Sequence, residues 1–480
     1  SKELESGHNF KGMVGFQSEL YKDRSITASK DIVQSIEHPT LNTAEKNPQN
    51  SGGYGHWATA GFFGRLNYDY MGKYLAEVNL RYDGTSRFLK DERWNLFPSF
   101  SLGWNIARES FFENYVDKIS TLKIRASWGE LGNQNTDNWY PFYRTIRYSG
   151  NAGNWLINGA KPNTAAEGPL VSALLTWERI RTTNLGLDFS MLSSRLTGSF
   201  DWFVRESLDM VGPAPELPAT LGTDVPKVNN LNMESKGFEF VLSWRDKISD
   251  FNYNISFNLA DSRQKITKYP NPAKVLGTYY SGAYIGDIWG FETIGIAKTN
   301  EEMNDHLASL PNGGQSAIGS GWRVGDIMYK DLDGNGAIDT GEGTADKPGD
   351  RKIIGNSTPR YNFGLNLSGE WKGFDLNLFF QGVLKRDYMA SGMMFWGADG
   401  GKWQSMVYKP HLDYFRDDPN HPLGLNLDAY YPWPNWNDSK NRKTQTRYLQ
   451  NAAYARLKNV TFGYRLPSHF TQKFSVNNLR

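Results

Sequence analysis

The sequence predicts an all-β protein, an antiparallel transmembrane β-barrel with long external loops, and three observations predict it. Residues alternate apolar and polar with period two over segments longer than ordinary strands. The connections alternate short and long, and aromatic rings collect where strands meet the short turns. Successive side chains of a strand point to opposite faces, so period two makes one greasy and one wet surface. Composition agrees. Aromatics are 14% of the 480 residues, with 16 Trp, 25 Tyr and 27 Phe, yet mean hydropathy is polar at −0.59. A soluble protein so rich in large rings carries more aliphatic residues for its cores. A barrel with one face in lipid and one in water averages the two out.

The pattern predicts strands near 8–18, 57–70, 74–87, 95–107, 119–130, 181–192, 195–208, 234–247, 250–264, 359–371, 374–387, 452–466 and from 473 onward. In the second, Phe62, Gly64, Leu66, Tyr68 and Tyr70 share one face, and Arg65, Asn67 and Asp69 the other. In the third, Tyr74, Ala76, Val78, Leu80 and Tyr82 oppose Glu77, Asn79, Arg81 and Asp83. Further on, Leu185, Leu187, Phe189 and Met191 oppose Asn184, Asp188 and Ser190. Phe238, Phe240, Leu242 and Trp244 oppose Glu239, Ser243 and Arg245. Phe251, Tyr253, Ile255, Phe257 and Leu259 oppose Asn252, Asn254, Ser256 and Asn258. Tyr361, Phe363, Leu365 and Leu367 oppose Asn362, Asn366 and Ser368, and Phe374, Leu376, Leu378 and Phe380 oppose Asp375, Asn377 and Gln381.

Short turns fall at Met71-Gly72-Lys73, Ser193-Ser194, Ile248-Ser249, Lys372-Gly373 and around Pro467. Long connections cover about 19–56, 131–180, 209–233, 265–358 and 388–451, with a shorter one near 88–94. A soluble β-sandwich also alternates, but its strands are usually five or six residues. It also has no reason to alternate short and long connections, which outer-membrane barrels do. Tyr68, Tyr70 and Tyr74 flank one short turn, Trp371 and Phe374 another, and Tyr464 a third. Rings at strand ends suit a headgroup boundary, and this girdle is expected on the periplasmic side. A net charge of +2 without a basic run offers nothing to nucleic acid. There is no Cys, and no apolar run long enough for a transmembrane helix. No signal peptide opens the chain.

Particular segments resemble a known family. His8-Asn9-Phe10, leading through Gly12 and Gly15, is similar to a strand opening of the SusC/RagA family of TonB-linked outer-membrane transporters. So is Tyr284-Ile285-Gly286-Asp287-Ile288-Trp289-Gly290-Phe291, running on to Gly295-Ile296. The most specific stretch runs from Gly325-Asp326-Ile327 to Gly382. It includes Tyr329-Lys330-Asp331-Leu332-Asp333-Gly334-Asn335-Gly336 and Ile354-Gly355-Asn356-Ser357-Thr358-Pro359-Arg360-Tyr361. Ala455-Arg456-Leu457-Lys458-Asn459-Val460-Thr461-Phe462-Gly463-Tyr464 and Leu466-Pro467 look like a late strand of the same family.

The resemblance implies a bacterial outer-membrane barrel of about 22 strands filled by an N-terminal plug. It also implies a TonB-contacting segment, a SusD-like surface lipoprotein as lid, and import of oligosaccharide or, in some members, peptide. The sequence departs from the family by omission, with no plug, no TonB box and no final strands. Residues 1–480 are therefore expected to be a middle-to-late barrel portion, unable to insert stably alone because an open edge in lipid leaves backbone groups unpaired. Within it, 265–358 and 388–451 are expected to be long extracellular loops.

One motif is metal-like. Asp331, Asp333, Asn335, Ala337, Asp339 and Glu342 fall at the ligand positions of the twelve-residue EF-hand loop, with Gly336 at its sharp turn. Calcium is favoured over magnesium by the number of carboxylates. No flanking helices are apparent, and the alternative is a well-hydrated Asp/Asn/Gly turn.

The aromatic run at Tyr430, Tyr431, Trp433 and Trp436, with Trp396 and Trp403 in the same loop, is the candidate ligand surface. Sugar rings stack their C–H faces on such side chains, while Asn437 and Asp438 offer hydrogen bonds. The plainer alternative is that these rings pack the loop on itself or on a partner. No enzyme is expected. The seven His are scattered, Ser357 and Ser391 lie in no nucleophile elbow, and Asp417-Asp418 is an adjacent pair typical of solvated loops. Glu77, Arg81, Lys123, Arg125 and Glu370 fit the wet lumen of an active importer or of a passive porin. A soluble β-rich surface binding protein is the third reading.

Overall fold

The computed structural model describes residues 2–3, 7–136, 138–168, 170–213, 225–397, 406–436 and 439–474. Two compact units divide the chain, one of 1–116, 121–187 and 203–233, the other of 117–120, 188–202 and 234–480.

The first unit is built on β1 (Lys2–Glu3), β2 (His8–Val33), β3 (Ala44–Tyr70), β4 (Tyr74–Thr85), β5 (Trp94–Asn105) and β6 (Ile119–Asn133). Each pairs antiparallel with the next. Register carries the alternation across the sheet. Gly12, Leu66, Val78, Phe100 and Trp128 lie opposite one another in one apolar row. The adjacent row is Lys11, Asn67, Glu77, Ser101 and Ser127. At the turn end, His8, Tyr70, Tyr74 and Trp104 form an aromatic row, the first pair with ring centroids 4.5 Å apart. Met71 and Gly72 take positive φ there, and Lys73 N–H closes the turn on Tyr70 O at 2.8 Å. A small hairpin, β7 (Ile146–Ser149) and β8 (Thr164–Glu167), sits within the expected 131–180 loop. Strands β9 (Glu178–Met191), β10 (Leu196–Gly212) and β11 (Val228–Ile248) contribute residues to each unit.

The second unit holds β12 (Phe251–Lys268), β13 (Asp287–Phe291), β14 (Thr293–Ile296), helix α1 (Asn300–Ala308), β15 (Ile327–Tyr329), β16 (Arg351–Asn356), β17 (Arg360–Trp371), β18 (Phe374–Lys385), β19 (Asp387–Met389), β20 (Leu449–Asn451) and β21 (Tyr454–Tyr464). The run β12, β17, β18, β21 is antiparallel throughout. Ile255, Leu367, Leu378 and Val460 form an apolar row, and Asn254, Ser368, Asn377 and Thr461 a polar one. Phe251, Trp371, Phe374 and Tyr464 repeat the aromatic row beside the Lys372-Gly373 turn.

Two expectations need correction. The 19–56 connection is mostly strand, because β2 and β3 stay paired out to Val33 and Ala44. The apolar parity ends after Leu20, where Lys22 and Arg24 follow, so the pattern lost its signal while the backbone ladder continued. The strand placed from 473 onward is not found among the described residues. Lys473 and Phe474 lie in a 3-10 turn, 472–474, after a short helix over 468–471, and 475–480 lie outside the described residues. Pro467 starts that helix, its carbonyl accepting Phe470 N–H at 2.9 Å.

Candidate functional site

The two long connections of the second unit fold on a core of their own. Phe291, Ile296, Leu310, Ile318, Val324, Ile327, Tyr329 and Ile338 come from the first, and Phe415, Ala429 and Tyr448 from the second. Paired strands frame it, β13 with β16, β14 with β15, and β19 with β20. Helix α1 is capped by the Thr299 hydroxyl, which accepts Glu302 N–H at 3.1 Å. Inside lies a buried polar network. Lys440 Nζ donates to Asp326 Oδ2 at 2.7 Å and to the Gly321 carbonyl at 2.7 Å. Asn441 Nδ2 donates to Asp326 Oδ1 at 2.7 Å, and Tyr329 OH to the Lys440 carbonyl at 2.7 Å. Gln315 Oε1 accepts Tyr329 N–H at 2.7 Å. These loops are therefore a preorganised platform, since each buried donor of this network has its acceptor.

The acidic loop sits on this platform. Asp331 accepts Gly334 N–H at 2.7 Å and Gly336 N–H at 2.9 Å, where both glycines take positive φ. Asp350 is fully buried and accepts Leu332 N–H at 2.6 Å and Asp339 N–H at 2.8 Å. Oxygens of Asp331, Asp333 and Asp350 lie within 4.8 Å of one another. Burial pushes the Asp350 carboxyl up, and the charges of Asp333 and Asp331 add to that. Burial acts upward on Asp331 too, but the N–H groups of Gly336 and Gly334 outweigh it and hold this carboxyl below its usual range.

The expected ligand set is thus regrouped. Asp331 and Asp333 converge, and Asp350, nineteen positions after Asp331 and beyond any twelve-residue register, joins them. Asn335 stays beside them, with Nδ2 3.3 Å from Asp333 Oδ2 and 3.2 Å from Asp339 Oδ2, while Ala337 N–H donates to Asn335 Oδ1 at 2.8 Å. Glu342 is drawn off by Lys347. Three hard carboxylate donors in one place suit a divalent cation such as Ca²⁺.

Of the candidate aromatic residues, Trp396, Tyr431 and Trp433 line one pocket of about 270 Å³ with His411, Arg442 and Asn435. His411 Nδ1 lies 3.0 Å from Tyr408 N and Nε2 faces the carbonyls of Met394 and Phe395, which fixes the ring as part of the wall. Tyr430 turns inward instead, its ring 5.5 Å from that of Tyr448 and its hydroxyl accepting from Gln450. Trp436 is half exposed and is not among the lining residues. Trp403 lies outside the described residues, as do Asn437 and Asp438. Trp396 and Trp433 also pack against the core, so ligand surface and loop packing share side chains.

Sequence reasoning missed a second cleft of about 350 Å³, lined by Tyr279, Tyr280, Tyr284, Asp287 and Trp289. Its signal was present in the family-like segment at 284–291, which carries two of its rings. In the first unit, Glu77, Lys123 and Arg125 line a polar cleft of about 780 Å³ with Lys11, Asp69 and Asn184. Arg81 pairs instead with Asp83 at 3.0 Å.

The chain is similar in sequence and fold to known proteins. The family model described as TonB dependent receptor-like, beta-barrel matches residues 3–479. TonB-dependent receptor P3 of Formosa agariphila is 29% identical over 432 residues, covering 87% of this chain and 39% of that protein. TonB-dependent receptor SusC of Bacteroides thetaiotaomicron is 29% identical over 325 residues, covering 66% and 30%. A solved structure of the RagAB peptide transporter superposes with a TM-score of 0.75 at 21% identity, over 98% of this chain and 48% of that one. The chain thus spans less than half the length of the relatives it matches. With greasy and wet sheet faces in register and a family match over nearly every residue, the chain belongs to the TonB-dependent receptor β-barrel family, as a barrel portion of SusC/RagA type in the bacterial outer membrane.

Proposed function

We propose that this chain is the barrel part of an active importer, energised through TonB and working with a SusD-like surface lipoprotein, whose cargo is an oligosaccharide. The observation that carries the cargo reading is the pocket of Trp396, Tyr431 and Trp433, where flat rings adjoin Asn435 and Arg442. Rings offer apolar faces to sugar C–H groups, and edge donors such as these fix hydroxyls. An oligopeptide is the second reading, favoured by the likeness to the RagAB peptide transporter. Tryptophan fluorescence of the full-length protein, titrated with oligosaccharides and with oligopeptides, tests it. Trp433→Ala is expected to weaken oligosaccharide binding about tenfold, as loss of one stacked ring should. Saturable binding of peptides alone would overturn the cargo.

We propose further that the acidic loop takes Ca²⁺ through Asp331, Asp333 and Asp350 and is stiffened by it. The reading is supported by three converging carboxylates, one of them buried beside two like charges. A cation would relieve that repulsion.

A further inference from the structure

Beyond the apolar band, the sheet face that meets lipid changes character in a regular way. In the first unit that face runs along β2 through Phe10, Gly12, Val14, Phe16 and Leu20, and then reaches Lys22 and Arg24. Their partners on β3 are His56 and Tyr54. The acids of this stretch, Glu19 and Asp23, fall on the opposite face, across from Thr59 and Gly55. Alternation has sorted charge by sign. Lys22, Arg24, Tyr54 and His56 are all exposed, and the Arg24 guanidinium lies 5.4 Å from the Tyr54 ring centroid.

Depth locates these cations. His8 belongs to the aromatic row at the turn end, and Lys22 is fourteen residues further along the same strand. At about 3.3 Å per residue this is about 46 Å of strand. A tilt of about 45° reduces it to about 33 Å across the membrane, just past a hydrocarbon layer of about 30 Å. A second aromatic set marks the approach to that border, where Tyr82 and Trp94 stack with centroids 5.1 Å apart beside Phe62. The second unit repeats the spacing by itself. Arg263 and Lys265 lie twelve and fourteen residues beyond Phe251, on the parity of Tyr253, Ile255, Phe257 and Leu259. Here Asp261 is already taken by Arg360, and Arg263 stacks on Tyr284 at 3.7 Å.

We propose that Lys22 and Arg24, flanked by His56, form a docking site for phosphate-bearing headgroups of the outer leaflet's lipid. An exposed cation pair is ordinarily a solvated face. These two sit at headgroup depth, on the face continuous with the lipid-contacting band, with the neighbouring acids turned away. A guanidinium beside an ammonium there matches a phosphate diester or monoester in geometry and charge. The proposal goes beyond cargo and needs only the barrel's place in the membrane.

The test is native mass spectrometry of the full-length protein in detergent with two probes, a lipopolysaccharide bearing lipid A phosphates and the same lipid treated with phosphatase. The expected result is retained phosphorylated lipid in the wild type, roughly ten- to thirty-fold weaker retention in the K22Q/R24Q double variant, and no preference for the dephosphorylated probe. Arg24→Lys should keep most of the binding, and Asp23→Asn, on the other face, all of it. Heat-modifiable migration on gels confirms that each variant is folded. Equal retention of the two probes by the wild type, or equal retention by folded wild type and K22Q/R24Q, overturns the site.

Discussion

Lys440 Nζ and Asp326 Oδ2 lie 2.7 Å apart with both side chains essentially sealed from solvent, and the two residues come from different long connections. Their pairing therefore joins the 265–358 and 388–451 segments at the level of a buried charge. Such a pair adds little net stability over an apolar one, but removing one partner strands the other. Lys440→Met is expected to destabilise the loop platform by about 3–5 kcal/mol, and the double change with Asp326→Asn by clearly less. Hydrogen exchange reads this directly. The amides of Ile327 and Tyr329, bonded to Asn441 Oδ1 and Gln315 Oε1, should exchange roughly a hundredfold faster or more in the single variant. Unchanged protection there would mean the network does not hold the loops.

The two sheet faces make opposite predictions for the same new side chain. Leu378 sits in the middle of the apolar row with Leu367 and Val460, and its neighbour Asn377 faces the other way with Ser368 and Thr461. Arginine near the bilayer midplane costs about 2–4 kcal/mol on the lipid face and much less on the wet one. Leu378→Arg in the full-length protein should lower its folding free energy in vesicles by that amount, while Asn377→Arg should change it by less than about 1 kcal/mol. Equal penalties would remove the assignment of faces.

The barrel strands were legible because membrane and water impose period two over most of their length. The row Gly12, Leu66, Val78, Phe100 and Trp128 is written in five separate segments, each readable alone. Legibility stopped where that constraint stopped. Beyond Leu20 the ladder of β2 and β3 leaves the apolar band, so charged residues occupy both faces and the strand reads as loop. The acidic group was legible only in part, in Asp331 and Asp333. A motif of fixed spacing could offer Asp339 and Glu342, but folding brought Asp350 through space and gave Glu342 to Lys347. The aromatic candidates divided by side-chain direction, since Tyr430 and Tyr431 are adjacent in sequence yet Tyr431 lines the pocket while Tyr430 packs beside Tyr448.

Glu292 carries a pH dependence of definite sign. Lys352 and, next, Lys330 at 3.2 Å hold its carboxyl below the usual range. Because the folded value is depressed, this interaction stabilises the platform above the unfolded value of about 4.3 and is lost as pH falls through the folded one. Glu292→Gln should therefore be slightly less stable than wild type near neutral pH, with the gap closing under acid. The effect is small, the site being open to solvent and screened by salt. Denaturant titrations followed by tryptophan fluorescence at pH 7 and pH 3 measure both gaps, and a gap as large at pH 3 as at pH 7 would contradict the assignment.

Calcium distinguishes the observed carboxylate group from the twelve-residue pattern. If the pattern governed, Glu342 would supply the bidentate ligand and Glu342→Gln would abolish binding. In the structure Glu342 serves Lys347, while Asp350 stands with Asp331 and Asp333. Terbium luminescence and calorimetry on the full-length protein should show Glu342→Gln within about threefold of wild type, and Asp350→Asn weaker by a hundredfold or so, by analogy with loss of a supporting group at a metal site. Asp350→Asn removes a buried like charge but also one of the two oxygens that accept Leu332 N–H and Asp339 N–H, so its stability without cation is the baseline, and above that baseline it should lose the added stability that calcium confers on wild type. Strong calcium binding by Asp350→Asn together with none by Glu342→Gln would return the site to the EF-hand register.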